Sequence, residues 1–218
     1  MRSTFLLTMT GLIILGFVMF MVTYSVRFTE AAVVTTFGKA TESAVKNQAG
    51  DEAGLYFKWP YPVQSVTKYD RRVRILETRS ETQLTADDRP IIVEAFLTWR
   101  VTDPLVFYQR FSNAGPEARD HYNLAQRTLD NLLRAGMAEV ARFRMNELFA
   151  SGGGESRLPQ LESAVLERIR RSDAGEEGRL SDYGVAVEMV GVRRIALPEE
   201  TTRDVYERMK ATRDKLAA

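Results

Sequence analysis

The uncharged run from Phe5 to Val26 constrains this chain more than any other feature of its sequence. As a helix rising about 1.5 Å per residue, it would reach roughly 33 Å, enough to cross a hydrocarbon core of about 30 Å. Arg2 and Arg27 flank the run, and Tyr24 lies near one end, where an interfacial aromatic is common. The pattern predicts a transmembrane anchor over residues 1–26.

A cleaved signal peptide is the alternative interpretation of this run. Signal peptides have an apolar core of roughly 7–15 residues and small residues before the cleavage point. The present core is longer, and Tyr24-Ser25-Val26 is a poor cleavage site. Length and cleavage chemistry therefore favour a retained anchor, whereas the similar charges on its two sides do not orient it.

Charge and cysteine content exclude several functions for the remainder of the chain. Lys and Arg number 30 and Asp and Glu number 29, so the part after the anchor is close to neutral. Nucleic-acid binding domains carry an excess of basic residues, so this class is disfavoured. The chain has no cysteine, which excludes disulfides, thiolate catalysis and Cys-ligated zinc. No cofactor is predicted.

The first half after the anchor has the patterns of β-strands. Strands are predicted over Glu30 to Phe37, Leu55 to Trp59 and Arg71 to Thr78. The clearest signal is Pro90 to Val101, where strict alternation gives one wholly apolar face, as in an antiparallel sheet lying on a core. Turn residues precede this strand, so residues 80–101 are predicted to form a hairpin.

The period changes to helical after residue 102. Asp103-Pro104 predicts an N-cap for a helix over Pro104 to Phe111, and longer helices are predicted over Glu117 to Leu133 and Leu158 to Arg170. A strand over Tyr183 to Leu197, with a register shift near Val190, precedes a last helix that starts at Pro198. This order predicts an α+β domain over 27–197 with two lobes meeting near residue 102, followed by a C-terminal helix over 198–218.

Three features could be mistaken for catalytic or ligand sites. His121 is the chain's one histidine and lies in a predicted helix, so a structural role is favoured. The glycine run after Ser151 lacks the strand and lysine of a phosphate loop. Asp87 and Asp88 are adjacent in a turn, where carboxylates point apart and are solvated. No catalytic or metal site is predicted.

An aromatic group over residues 56–61 is a candidate interaction site. Its members are Tyr56, Phe57, Trp59 and Tyr61. Trp and Tyr favour the membrane–water interface because their rings are amphipathic, so the group could lie against the bilayer that the anchor crosses. The alternative is a core strand with Leu55, Phe57 and Trp59 on its buried side.

The last predicted helix carries an apolar seam. Val205, Met209, Thr212 and Leu216 are spaced four, three and four residues apart, as in a coiled coil. Two heptads are too few to decide between pairing with a neighbouring subunit and docking on the same domain. Both interpretations stay open.

Five motifs follow one another along the chain. They are EAAVVTTFGK from Glu30, GLYFKWP from Gly54, YDRR from Tyr69, WRV with DPL and FY from Trp99 to Tyr108, and LPEE with VYERM from Leu197 to Met209. In this order they resemble the stomatin/prohibitin/flotillin (SPFH, or band 7) family, and within it the HflC type. Two features depart from the family pattern: the loop Thr41 to Gly54 is longer and lacks a proline before Gly54, and the family's long coiled coil extends beyond the position of Ala218.

The resemblance implies a membrane scaffold without enzymatic activity. Such proteins contact membrane lipids and pair with an HflK-type SPFH subunit in large assemblies that enclose the membrane AAA+ protease FtsH and control substrate access to it. For this chain, a hetero-oligomer and a homo-oligomer both stay open. The resemblance also implies a single-pass protein of the inner (plasma) membrane with a cytoplasmic N-terminus and a periplasmic domain. A lipid-microdomain scaffold without a protease partner is the first alternative, and a membrane-tethered hydrolase is the second.

Overall fold

The computed structural model describes residues 2–47, 52–149, 155–171 and 180–198. It divides into two compact units that interleave along the chain. The first unit contains Met1–Arg72, Arg100–Ala125 and Ser181–Ala186, and the second contains Val73–Trp99, Gln126–Leu180 and Val187–Ala218. One crossing, between Trp99 and Arg100, lies near the predicted lobe boundary at residue 102.

The long uncharged run divides into a helix and a strand. Helix α1 covers Arg2–Val22, and strand β1 covers Thr23–Val26. The helix therefore ends four residues before the end of the predicted anchor at residue 26, because Tyr24 and Val26 are buried against the following sheet. Within the residues that the structure describes, no helix combines the length and apolar character needed to cross a membrane.

The first unit is built around a three-stranded antiparallel sheet in the order β3-β2-β5. Its elements after β1 are β2 (Glu30–Thr36), β3 (Val45–Lys46), β4 (Gly54–Phe57), β5 (Gln64–Asp70) and α2 (Pro104–Phe111). One face of the sheet is covered by a two-stranded ribbon of β1 and β4, through a cluster of Tyr24, Val26 and Ala32 with Val34, Tyr56 and Val66. On the other face, Tyr69 contacts aromatic rings of the helices.

The predicted N-cap of α2 is confirmed. The Asp103 carboxylate accepts the backbone N–H groups of Leu105 and Val106 at 2.9 and 3.1 Å, and Pro104 opens the helix as predicted. Strand β2 ends one residue earlier than predicted, at Thr36, because Phe37 adopts a positive φ and belongs to a turn.

The second unit combines helices with a sheet that is antiparallel where β6 and β7 pair with β8. Its elements are β6 (Arg74–Glu77), β7 (Glu81–Leu84), most of β8 (Pro90–Val101), most of α3 (Ala118–Met137), α4 (Met145–Leu148), α5 (Leu158–Arg171) and most of β9 (Val185–Ala196). Strands β6, β7 and β9 all pair with β8. The predicted hairpin is confirmed by the pairing of β7 with β8, and the alternating residues of β8 from Ile91 to Val101 are at most 2% exposed.

Helix α5 packs on α3 and closes the edge of β9. Gly136, in the last turn of α3, lies under Val165 and Ile169, where an added Cβ would be 3.0 Å from the Val165 side chain. The Glu162 carboxylate accepts the Val192 N–H at 2.8 Å, and Arg170 donates to the Val187 carbonyl at 3.2 Å. These side chains occupy backbone groups of β9 that would otherwise be available to another strand.

His121 lies in the core of the first unit as one half of a buried polar pair. Its Nε2 donates to the Gly115 carbonyl at 2.8 Å, and its Nδ1 forms a hydrogen bond with the Tyr69 hydroxyl. Both side chains are fully buried, and burial raises the pKa of Tyr69 well above its ordinary value. His121 therefore fixes the turn at Gly115 and satisfies the Tyr69 hydroxyl.

We expect Tyr69→Phe to destabilise the chain, because it leaves the buried His121 Nδ1 without its hydrogen-bond partner. The loss should be about 1–3 kcal/mol in the free energy of unfolding, measured by urea denaturation of the detergent-solubilised chain. Tyr61→Phe is the matched control, since it removes the hydroxyl from an exposed ring. Equal stability of the two variants would contradict the buried pair.

Glu139 is a buried carboxylate of the second unit with two arginine partners. It is 7% exposed and accepts hydrogen bonds from Arg168 at 2.7 Å and Arg142 at 2.9 Å. The hydrogen bond from Arg168, followed by that from Arg142, lowers the pKa of Glu139. A lowered pKa in the folded state means that the charged form stabilises the fold above the pKa of the unfolded chain.

We expect the stabilising effect of Glu139 to disappear in acid. The melting temperature of the parent chain should exceed that of Glu139→Gln at pH 7. The difference should shrink as the pH falls below about 4.3, the ordinary range of a glutamate, and through the lowered pKa of the folded state. Thermal melts of both proteins across this pH range provide the measurement, and a difference that is constant with pH would contradict the prediction.

Candidate functional site

Successive side chains along β4, in the ribbon of β1 and β4, point in opposite directions. Tyr56 points inward and stacks on Tyr24, with ring centroids 5.7 Å apart. Leu55 and Phe57 point outward and are 66% and 69% exposed. Trp59 and Tyr61, in the loop after β4, are 68% and 77% exposed. The core-strand alternative for Leu55, Phe57 and Trp59 is therefore wrong, and Tyr56 separates from the other three aromatic residues.

Helix α1 joins this ribbon without a linker. The Val22 carbonyl, in the last turn of the helix, accepts the Lys58 N–H at 2.7 Å, and Thr23 donates its hydroxyl to the Met19 carbonyl at 2.8 Å. A groove of about 620 Å³ lies beside the helix end. It is lined by Val18, Val22, Phe57, Lys58, Trp59, Pro60 and Gln64. Phe57 and Trp59 thus lie level with the last turn of α1.

Gln64 holds the loop that carries Trp59. Its Oε1 accepts the Trp59 N–H at 2.8 Å, while its Nε2 donates to the Thr36 hydroxyl at 3.2 Å. Gln64 therefore ties the aromatic loop to the ends of β2 and β5, which pair at Thr36 and Gln64. Sequence reasoning missed this residue, since a single glutamine before a strand has no pattern that marks it.

Asn47 fastens the opposite end of the ribbon. It is fully buried with a positive φ of 62°, and its side-chain amide donates to the carbonyls of Arg27 and Glu30 at 2.8 and 2.7 Å. Its Oδ1 accepts the Glu52 N–H at 3.0 Å. The long polar loop that departs from the family pattern thus contributes a structural clamp.

Asp87, considered above as part of a possible carboxylate pair, has a structural role. Asp87 accepts the Thr85 hydroxyl at 2.7 Å and the Met145 N–H at 3.0 Å, and these bonds, the first being the stronger influence, lower its pKa. Asp87 therefore anchors the turn to the start of α4, in agreement with the predicted turn role but with more partners than solvent alone. Across the described ranges, no three His, Asp or Glu side chains cluster as metal ligands.

The predicted assembly seam lies outside the described residues. Its members are Val205, Met209, Thr212 and Leu216. The glycine run after Ser151 also lies outside them.

Comparison with known proteins identifies the family of this chain. The model of the SPFH domain / Band 7 family matches residues 24–218. The "Modulator of FtsH protease HflC" of Escherichia coli is 23% identical over 233 residues, which cover 94% of this chain and 68% of that protein. "Protein HflC" of Haemophilus influenzae is 26% identical over 185 residues, covering 85% of this chain, and that of Buchnera aphidicola is 24% identical over 195 residues, covering 86%.

The chain spans only part of these relatives, 58% of the Haemophilus protein and 59% of the Buchnera protein. The family match nevertheless begins at Tyr24, within β1, and covers both units. It confirms the resemblance carried by the five motifs, and the antiparallel sheets with packed helices confirm the predicted α+β class. The chain belongs to the SPFH domain / Band 7 family.

Proposed function

We propose that this chain is a membrane-anchored, non-enzymatic scaffold subunit that regulates an FtsH-type membrane AAA+ protease together with an HflK-type SPFH subunit. The protease is proposed from the name of the Escherichia coli relative. The HflK-type partner and the placement in the inner membrane, with the domain periplasmic, come from the family resemblance.

The observation that carries the scaffold half of the proposal is the junction of α1 with the ribbon. The described side chains of α1 from Thr8 to Met21 are exposed along the whole helix, and they include Leu12, Phe17 and Phe20. A helix whose entire circumference is apolar and exposed is stable only against lipid or protein. Because the Val22 carbonyl is bonded to Lys58, a bilayer that surrounds α1 would hold the domain directly at its surface.

The exposed aromatic residues fit the same surface. Phe57 and Trp59 line the groove beside the last turn of α1, at the height where a bilayer interface would be if α1 spans the membrane. Tyr61 is exposed in the same loop as Trp59. Aromatic side chains partition to this interface. We add Leu55 to the proposed bilayer-contact surface, because it shares the outward face of β4 with Phe57. Tyr56 is not part of this surface, since it packs on the inner side of the ribbon.

We expect brominated lipid to quench Trp59 in vesicles that contain the full chain. The chain has two tryptophans, and Trp99 is fully buried, so it provides an unquenched background. Trp59→Phe should abolish the quenching and leave the Trp99 emission. Equal emission of the parent chain in brominated and ordinary lipid would contradict contact between Trp59 and the bilayer.

We expect the tagged full chain, extracted from bacterial membranes in mild detergent, to co-purify with the AAA+ protease and a second SPFH subunit as one large species. Met209→Glu should reduce its size on gel filtration, because it puts a charge in the apolar seam. Ala211→Glu adds the same charge off the seam and is the matched control.

Each failure in this experiment has a distinct meaning. A large species that lacks the protease would favour the lipid-scaffold alternative. A monomer of the parent chain would contradict the scaffold itself, and an unchanged size of Met209→Glu would contradict the role of the seam.

A further inference from the structure

A tight turn joins β2 to the following loop. It lies at the end of the first unit that also carries Trp59. Thr36 and Lys39 exchange two backbone hydrogen bonds at 2.9 and 3.0 Å, so the turn has two central residues, Phe37 and Gly38. Their φ angles are 50° and 79°. Two central residues with positive φ define a type I′ turn, whose preferred sequence is Asn-Gly or Asp-Gly.

Phe37 is an unfavourable residue for this position by two criteria. A bulky side chain in the left-handed region is strained, because its Cβ approaches the backbone. The Phe37 ring is also 75% exposed, so burial does not offset the strain. Strained residues that gain nothing within the fold are concentrated at functional sites.

The turn lies beside the aromatic loop. The Phe37 N–H donates to the Val63 carbonyl at 2.9 Å, and Gln64 bonds both Thr36 and Trp59. These bonds place the Phe37 turn and the Trp59 loop next to each other, at the end of the sheet nearest to the last turn of α1. Phe37 therefore extends the exposed aromatic surface from the loop to a second, independent turn.

The positive charges of the Phe37 turn and of the Trp59 loop favour an anionic lipid surface. Residues 31–41 contain Lys39 and no acidic residue, and residues 53–67 contain Lys58 and no acidic residue. Lys39 is exposed directly after the turn. Aromatic rings flanked by lysines match a bilayer with anionic headgroups, where rings enter the interface and ammonium groups meet phosphates.

We propose that Phe37 is an insertion residue that enters the interface of an anionic bilayer, with Lys39 contacting the lipid phosphates. The inference rests on the proposed anchoring by α1 and adds a second point of attachment. Two attachment points, the helix and the turn, fix the tilt of the first unit on the membrane, which a helix alone does not.

The test places a fluorophore at the turn of the full chain in vesicles. Phe37→Trp is made in a Trp59→Phe background, and the chain is reconstituted in phosphatidylcholine with phosphatidylglycerol, with or without brominated acyl chains. Phe28→Trp in the same background is the control, because Phe28 is equally exposed, at 73%, but follows the far end of β1. We expect strong quenching for Phe37→Trp and little for Phe28→Trp.

Lipid charge is the second variable. Quenching of Phe37→Trp should fall when phosphatidylglycerol is omitted, and adding Lys39→Gln should remove this dependence on the anionic lipid. Quenching that is independent of lipid charge in both proteins would overturn the anionic part of the proposal. Equal quenching at positions 37 and 28 would overturn the insertion itself.

The two proposals can fail separately. If Trp59 of the parent chain is quenched and Phe37→Trp is not, the insertion residue is wrong while the membrane contact stands; if neither is quenched, both are wrong. Phe37→Asn gives a check that does not depend on lipid. Because asparagine suits the type I′ turn, this variant should melt at a higher temperature than the parent, and a lower melting temperature would show that the ring serves the fold instead.

Discussion

The hydrogen bond from the Lys58 N–H to the Val22 carbonyl is the contact on which the functional arrangement of the first unit depends. The last carbonyls of a helix have no partner within the helix, and Lys58, directly after β4, supplies one here. Helix α1 therefore ends inside the ribbon, with Thr23 already paired opposite Phe57. Any element that surrounds α1, lipid or protein, acts on the sheet without an intervening linker.

The ribbon separates two kinds of aromatic residue. Tyr24 and Tyr56 stack inside and bury the sheet face, whereas Phe57 and the rings of the adjoining turns remain outside. Exposed apolar surface is typical of interaction sites, which supports the proposed contact of these rings with a bilayer. The supports of the surface, Gln64 and Asn47, are polar residues that satisfy backbone groups at opposite ends of the ribbon. Hydrogen bonds with these two side chains thereby hold the backbone at both ends of the ribbon, including the backbone N–H of Trp59.

Regular repetition made much of the fold predictable. The alternation in β8, the N-cap at Asp103 and the helical face of α5 each follow from the period of the local backbone, and each is confirmed. The predictions were wrong where contacts with neighbouring elements determine where a helix ends or which face of a strand is buried. The run from Phe5 to Val26 is uncharged throughout, so its composition could not show that Tyr24 and Val26 would lie outside the helix and cover Ala32. Likewise, alternation shows that Tyr56 and Phe57 face opposite ways, but not which of them faces the core.

The sequence by itself determined the α+β class, the family and the absence of cysteine chemistry, because these depend on local period, motif order and composition. Tertiary structure decided where the apolar run stops being helix, which aromatic residues are exposed, and that His121 is a hydrogen-bonded core residue. It also decided that Phe37 occupies a strained turn beside Trp59. These features depend on contacts between residues far apart in the chain, and such contacts leave no periodic trace in the sequence.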